Sequence, residues 1–174
     1  MNSLKTPSDS EVVQSGLVLP NDTNMLNNLM GGRLMHQMDI VAAIAAQRHS
    51  CHAVVTASVD NVSFEHVIPL GSIITLTAKV TRAFNTSMEV RVEVYSENIP
   101  NKESKFKSNQ AFLTFVAVDK DLKPVKINPI APVTEDEQKL YDGALRRRQF
   151  RLLLAGKIKP SEAQELKNFL DIHE

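Results

Sequence analysis

The chain of 174 residues has one cysteine, no tryptophan and an aromatic share of only 5%. A lone thiol, Cys51, excludes an internal disulfide framework and suits a reducing compartment. Net charge is missing too. The 20 Lys and Arg balance the 20 Asp and Glu, so no whole-molecule field favours nucleic acid or a membrane surface. No apolar run reaches the about 18 residues of a membrane-spanning helix, and residues 1–14 hold no signal-peptide core. The expected location is therefore the cytoplasm. P-loop and dinucleotide fingerprints are absent, which leaves nucleotide hydrolysis and hydride transfer without support. The length suits one domain, or one domain with a helical appendage.

What is there falls into an ordered pattern. Residues 1–14 are polar and predict a poorly ordered start. Residues 16–19 predict a first strand, stopped by Pro20. Asn21, Asp22, Thr23, Asn24, Asn27 and Asn28 crowd one loop, and such residues favour turns and helix N-caps. From Gly31, the residues Leu34, Met35, Met38, Val41, Ala42 and Ala45 recur at the helical period. Residues 40–46 are apolar on every side, the mark of a buried helix, and Arg48 and His49 suit its C-terminus. Four strand-like segments follow at 53–64, 72–84, 86–97 and 106–119, with short linkers that predict an antiparallel meander. Pro124, Pro129 and Pro132 mark a linker. Thr134-Glu135-Asp136-Glu137 then opens a helix to about Leu154, followed by a shorter one over 161–170. The expected division is a flexible segment (1–14), a domain (15–128) and a C-terminal helical extension (129–174). The fold class is α+β, with one helix wrapped by a curved antiparallel sheet.

Asp39 is the most informative residue, because it stands where the helix becomes wholly apolar. A carboxylate in such surroundings needs a partner or an altered affinity for its proton, which makes it a candidate general base or nucleophile. A structural Asp bonded to a nearby loop is the alternative, at about even odds. Gly31 and Gly32 open the helix, where free N–H groups attract developing negative charge, as an oxyanion hole requires. Asp39 lies roughly 10 Å further along the axis, so a second subunit supplying one of the two groups would solve the geometry. Asn24 offers an amide able to orient water or polarise a carbonyl, although for any single loop Asn ordinary turn and capping chemistry is the commoner role. His49, Cys51 and His52 have no metal-ligand spacing and no thiol-protease motif, so no metal is expected. The basic, amphipathic residues 146–154 read as a solvated helix face.

Taken in order, Asp22-Thr23-Asn24, Gly31-Gly32, Met38-Asp39, residues 55–60 with Phe64, residues 86–90 and residues 111–116 resemble the hotdog acyl-CoA thioesterases. The resemblance is to the group of the bacterial YciA proteins and the brain-type cytosolic acyl-CoA hydrolase. It implies hydrolysis of acyl-CoA to a free fatty acid and CoA, with no cofactor beyond the CoA of the substrate. It also implies a homo-oligomer, a dimer or a hexameric trimer of dimers. The family's catalytic Asp falls on Asp39, and its helper Asn, from the opposing subunit, on Asn24. The helix-start glycines fall on Gly31 and Gly32. Phe64, Thr86 and Ser87 are the expected contacts to substrate or CoA. The resulting expectation sets the thioester carbonyl on the Gly32 end of one helix, facing Asp39 of the other subunit. Asn27 stands where the family usually has Gly, which predicts a left-handed backbone there; Met30 and Arg33 also depart from the pattern. The alternatives are a non-catalytic acyl-CoA sensor, and a dehydratase that would need a His–acid pair such as His36 with Asp39.

Overall fold

The computed structural model describes residues 4–60, 62, 64 and 66–171. They form two compact units, Met1–Ala131 and Pro132–Glu174.

The first unit is built on helix α1 (Gly31–Ser50) and five strands: β1 (Val12–Leu17), β2 (Ala53–Asp60), β3 (Ile73–Ala83), β4 (Ser87–Asn98) and β5 (Glu103–Val118). All neighbouring strands are antiparallel, in the spatial order β1-β3-β4-β5-β2. Alternation does the sorting. Met88, Val90, Val92 and Val94 of β4 are fully buried, as are Leu76, Ala78 and Val80 of β3. They form the core with Met38, Val41, Ala42, Ala45 and Ala46 of α1, and three alanines on that face let the sheet come close to the helix.

The meander holds for β3, β4 and β5 but not for β2. That strand lies at the far edge beside β5, and the chain crosses back over residues 61–72 before entering β3. A hairpin needs a loop of about 2–5 residues, and this connection is longer than that. The expected strand over 53–64 is also shorter: it stops at Asp60, and residues 61 and 63 lie outside the described ones.

The start of the chain corrects a second expectation. Residues 1–3 lie outside the described residues, but 4–14 are tied down. The Lys5 ammonium donates to the carbonyls of Arg48 and His49, both at 2.8 Å, and so caps the C-terminus of α1. Ser10 is buried, donates to the Pro7 carbonyl and accepts from Val80 N–H. β1 starts at Val12, before the apolar run, because the open side of β3 supplies a pairing partner for polar residues too.

His49 is buried near this cap, with Nε2 2.9 Å from the Asn128 carbonyl. Burial lowers its pKa from the ordinary 6.5, against the opposing effect of that hydrogen bond. The unfolded chain therefore binds the proton more readily, and stability is lost as pH falls below about 6.5. A thermal melt at about pH 5.5 should start several degrees lower than one at about pH 7.5. His49→Gln should flatten that dependence; an unchanged slope in the variant would place its origin elsewhere.

In the second unit, α2 (Glu135–Leu154) has the expected N-terminus. The Thr134 hydroxyl accepts from Glu137 N–H, and the Glu137 carboxylate accepts from Thr134 N–H. Helix α3 (Gln164–Asp171) folds back on α2, with the Arg146 guanidinium 4.7 Å from the centre of the Phe169 ring and Leu166 N–H bonded to Gln149. Among the described residues no helix is long and apolar enough to cross a membrane.

Candidate active site

The flank of α1 carries the carboxylate. Asp39 is half-buried, and its Oδ1 accepts a hydrogen bond from the Thr56 hydroxyl at 2.8 Å. Thr56 is in place because β2 bulges there. It pairs with Phe115 and Ser58 with Thr114, so Ala57 is the extra residue. A bulge kinks a strand and re-aims its side chains, and this one sits opposite the acid. One carboxylate oxygen is thus held, and the other remains for a water or a carbonyl carbon. Sequence reading had passed over Thr56, since a hydroxyl in a strand of alternating residues gives no local signal.

Asp39 and Thr56 line a cavity of about 350 Å³ between α1, β2 and β5, together with Gly32, Met35, His36 and apolar residues of the two strands. A second cavity of about 220 Å³ takes in Asn24, Gly31, Leu34, Phe64, His66 and Asn109. The glycine pair is therefore divided. Gly32 lines the same cavity as Asp39 of its own protomer, whereas Gly31 lines the one that holds Asn24. Consecutive helical residues point about 100° apart, so one faces each side. Gly31 is the one beside Asn24. A Cβ added there would come within 3.2 Å of the Phe64 ring, a tight contact that glycine avoids. Arg33 and Leu34 N–H groups both bond the Met30 carbonyl. Those of Gly31 and Gly32 have no backbone acceptor among the described residues.

Asn24 is shaped by its loop. Its Oδ1 accepts from the N–H of Leu26 at 2.9 Å and of Asn28 at 3.2 Å, closing a tight turn. Asn27 sits in that turn at φ 56°, the left-handed conformation expected of it. The loop is anchored by an Asp22–Arg33 ion pair of 3.1 Å and by Leu29 N–H on the Ile68 carbonyl. Turn chemistry thus uses the amide oxygen and leaves the NH2 end for a ligand. Met25 and Leu26 at the tip are 100% and 77% exposed.

Within one protomer Asn24 and Asp39 line different cavities. Thr86 and Ser87, at the β3–β4 turn, are half-buried and line neither. Nor do His49, Cys51 and His52 converge: the rings turn to the carbonyls of Asn128 and Ser50. Helix α1 also departs from expectation, since Ile40 and Ile44, one turn apart, stay 40% and 38% exposed. A stripe of the helix that should be buried is left uncovered by its own chain. Val55 and Val59 on the open edge strand β2 are 45% and 40% exposed.

A long helix wrapped by a five-stranded antiparallel sheet, with an acid on its flank and glycines at its start, defines the hotdog class of thioester enzymes. The comparisons agree. The thioesterase superfamily model matches residues 26–101. The chain is 41% identical over 150 residues to mouse acyl-coenzyme A thioesterase 11, covering 86% of this chain but only a quarter (25%) of that longer protein. It is 40% identical over 139 residues to the uncharacterized acyl-CoA thioester hydrolase YkhA of Bacillus subtilis, covering 80% of each. Among solved structures, an apo-hexameric acyl-CoA thioesterase superposes with a TM-score of 0.84 at 38% identity, over 88% of this chain and 97% of that one. Acyl-CoA hydrolase from Staphylococcus aureus, in complex with butyryl coenzyme A and coenzyme A, gives 0.81 at 32% identity, over 97% and 99%. The chain belongs to the hotdog-fold acyl-CoA thioesterases of the thioesterase superfamily.

Proposed function

We propose that the protein hydrolyses acyl-CoA thioesters in the cytoplasm, as a homo-oligomer and without metal or organic cofactor. Asp39 is the base or nucleophile, Thr56 positions it, and Asn24 with the Gly31 N–H group of the opposing protomer holds the thioester carbonyl. The observation that carries the reading is the Asp39–Thr56 pair at the mouth of an apolar cavity. A further support comes from three alanine variants of the S. aureus hydrolase, which replace an aspartate, an asparagine and a threonine. There 15 residues separate the asparagine from the aspartate and 17 the aspartate from the threonine; Asn24, Asp39 and Thr56 stand at the same spacings.

In the reaction, the acyl chain lies against the apolar walls and its carbonyl oxygen receives the Gly31 N–H and the Asn24 amide. Asp39 takes a proton from water as that water attacks, or attacks first itself to give an acyl–carboxylate anhydride that water then opens. CoA leaves as the thiol. The exposed apolar stripe of α1, the open edge of β2 and the bare Met25–Leu26 tip favour a dimer in which each half-site completes the other. A trimer of such dimers would give a hexamer. Thr86 and Ser87 remain candidate contacts to the CoA moiety.

The test is release of free thiol from acyl-CoA by the purified chain; binding without release would establish a sensor instead. Thr56→Val should lower kcat about 10-fold or more, the worth of a hydrogen bond to a charged group, while leaving KM nearly unchanged. An unaltered kcat would remove Thr56 from the mechanism.

A further inference from the structure

The cavity beside Asp39 has a direction. Thr56 pairs with Phe115, and Ala111 lies four residues back along β5, roughly 13 Å away. The polar groups Asp39 and Thr56 stand together at one end of this span, and Ala111 stands at the other. The walls between them are Met35, Met38, Val59 and Leu113. Met38, Leu113 and Ala111 are 2%, 1% and 1% exposed, whereas Met35 and Val59 at the opening are 39% and 40% exposed. Ala111 is small beside Leu113 and Phe115, which share its face of the strand. Any larger side chain there would fill the far end.

We infer that this cavity measures the acyl chain, with Ala111 setting its depth, so that the preferred substrates are short- to medium-chain acyl-CoAs. The inference rests on the hydrolase reading, which fixes the thioester at Asp39. A volume of about 350 Å³ holds about a dozen water-sized groups, each close in size to a methylene. An acyl chain of about ten carbons would fill this volume and span the distance to Ala111. Met35 and Met38 line the path with flexible thioethers, which adapt to chains of differing length rather than selecting one.

The experiment is kcat/KM for straight-chain acyl-CoAs from acetyl to palmitoyl, on the wild type, Ala111→Val and Met35→Ala. In the wild type each added methylene should raise kcat/KM about fourfold, until the rise breaks at about eight to ten carbons. Ala111→Val should lower the decanoyl-to-butyryl ratio about 10-fold or more, as a blocked methylene site does. Met35→Ala, at the opening rather than the far end, should leave the break at the same length. Dissociation constants of the same esters for the Asp39→Asn variant, by calorimetry, should break at the same length without any turnover. A steady rise to palmitoyl, or a decanoyl-to-butyryl ratio unchanged in Ala111→Val, overturns the inference. Absence of thiol release at every length sinks the hydrolase reading instead, and in that case the binding series still reads the depth of the cavity.

Discussion

Asp39→Ala lowers kcat at least about 100-fold on any acyl-CoA the protein accepts, and Asp39→Asn does nearly the same. The expectation follows from where the acid sits. It is half-buried, held through one oxygen by Thr56, and it is the carboxylate of the cavity that also presents apolar walls for a chain. Nothing else lining that cavity supplies a negative charge; His36 is its remaining titratable neighbour there. Asparagine keeps the size and the acceptor for Thr56 but cannot accept a proton from water or form an anhydride. Because Asp39 is not part of the packed core, both variants should melt within a few degrees of the wild type, so a lost rate reports chemistry rather than folding. Single turnover in heavy-oxygen water tests direct attack, since label enters Asp39 when an anhydride forms and water opens it at the Asp39 carbonyl. Near-normal hydrolysis by Asp39→Asn would reject the assignment.

Mixing two inactive proteins should restore activity. Asn24→Ala removes an amide whose oxygen already holds the loop and whose NH2 remains for the carbonyl, and a loss of about 10- to 100-fold is expected. If each site takes Asp39 from one protomer and Asn24 from its partner, a mixed dimer of Asp39→Ala and Asn24→Ala contains one site with both residues intact. The other site lacks both. Random reassortment of equal amounts puts half the dimers in the mixed form, so about a quarter of wild-type activity should return. A site made within one protomer would give no recovery at all. The placement of the two residues in separate cavities of one chain is what motivates the experiment.

Much of the fold was legible in the residues. Helix α1 runs from Gly31 to Ser50 because its apolar positions recur at the helical period, and the expected end at Arg48–His49 is one or two residues short. The capping box at Thr134 and Glu137 and the left-handed turn at Asn27 were equally local matters, set by side chains within a few residues. What pairs with what was not. The place of β2 beside β5 depends on a crossover whose length is clear only once both strand ends are known. The early chain, polar and unpatterned, owes its order to a lysine reaching helix carbonyls 43 and 44 residues away.

The same division runs through the site. Asp39, Asn24 and the glycine pair stood out from the chain alone, because an acid in an apolar helix and glycines at a helix start are unusual choices with few physical reasons. Their grouping belongs to the tertiary structure. Thr56 meets Asp39 through a bulge, Gly31 goes with Asn24, and Gly32 goes with the acid. Side-chain type and period are properties of neighbours in sequence and survive in the bare chain; a cavity is made by residues far apart, and only the packing of α1 on β2 and β5 decides which of them share it.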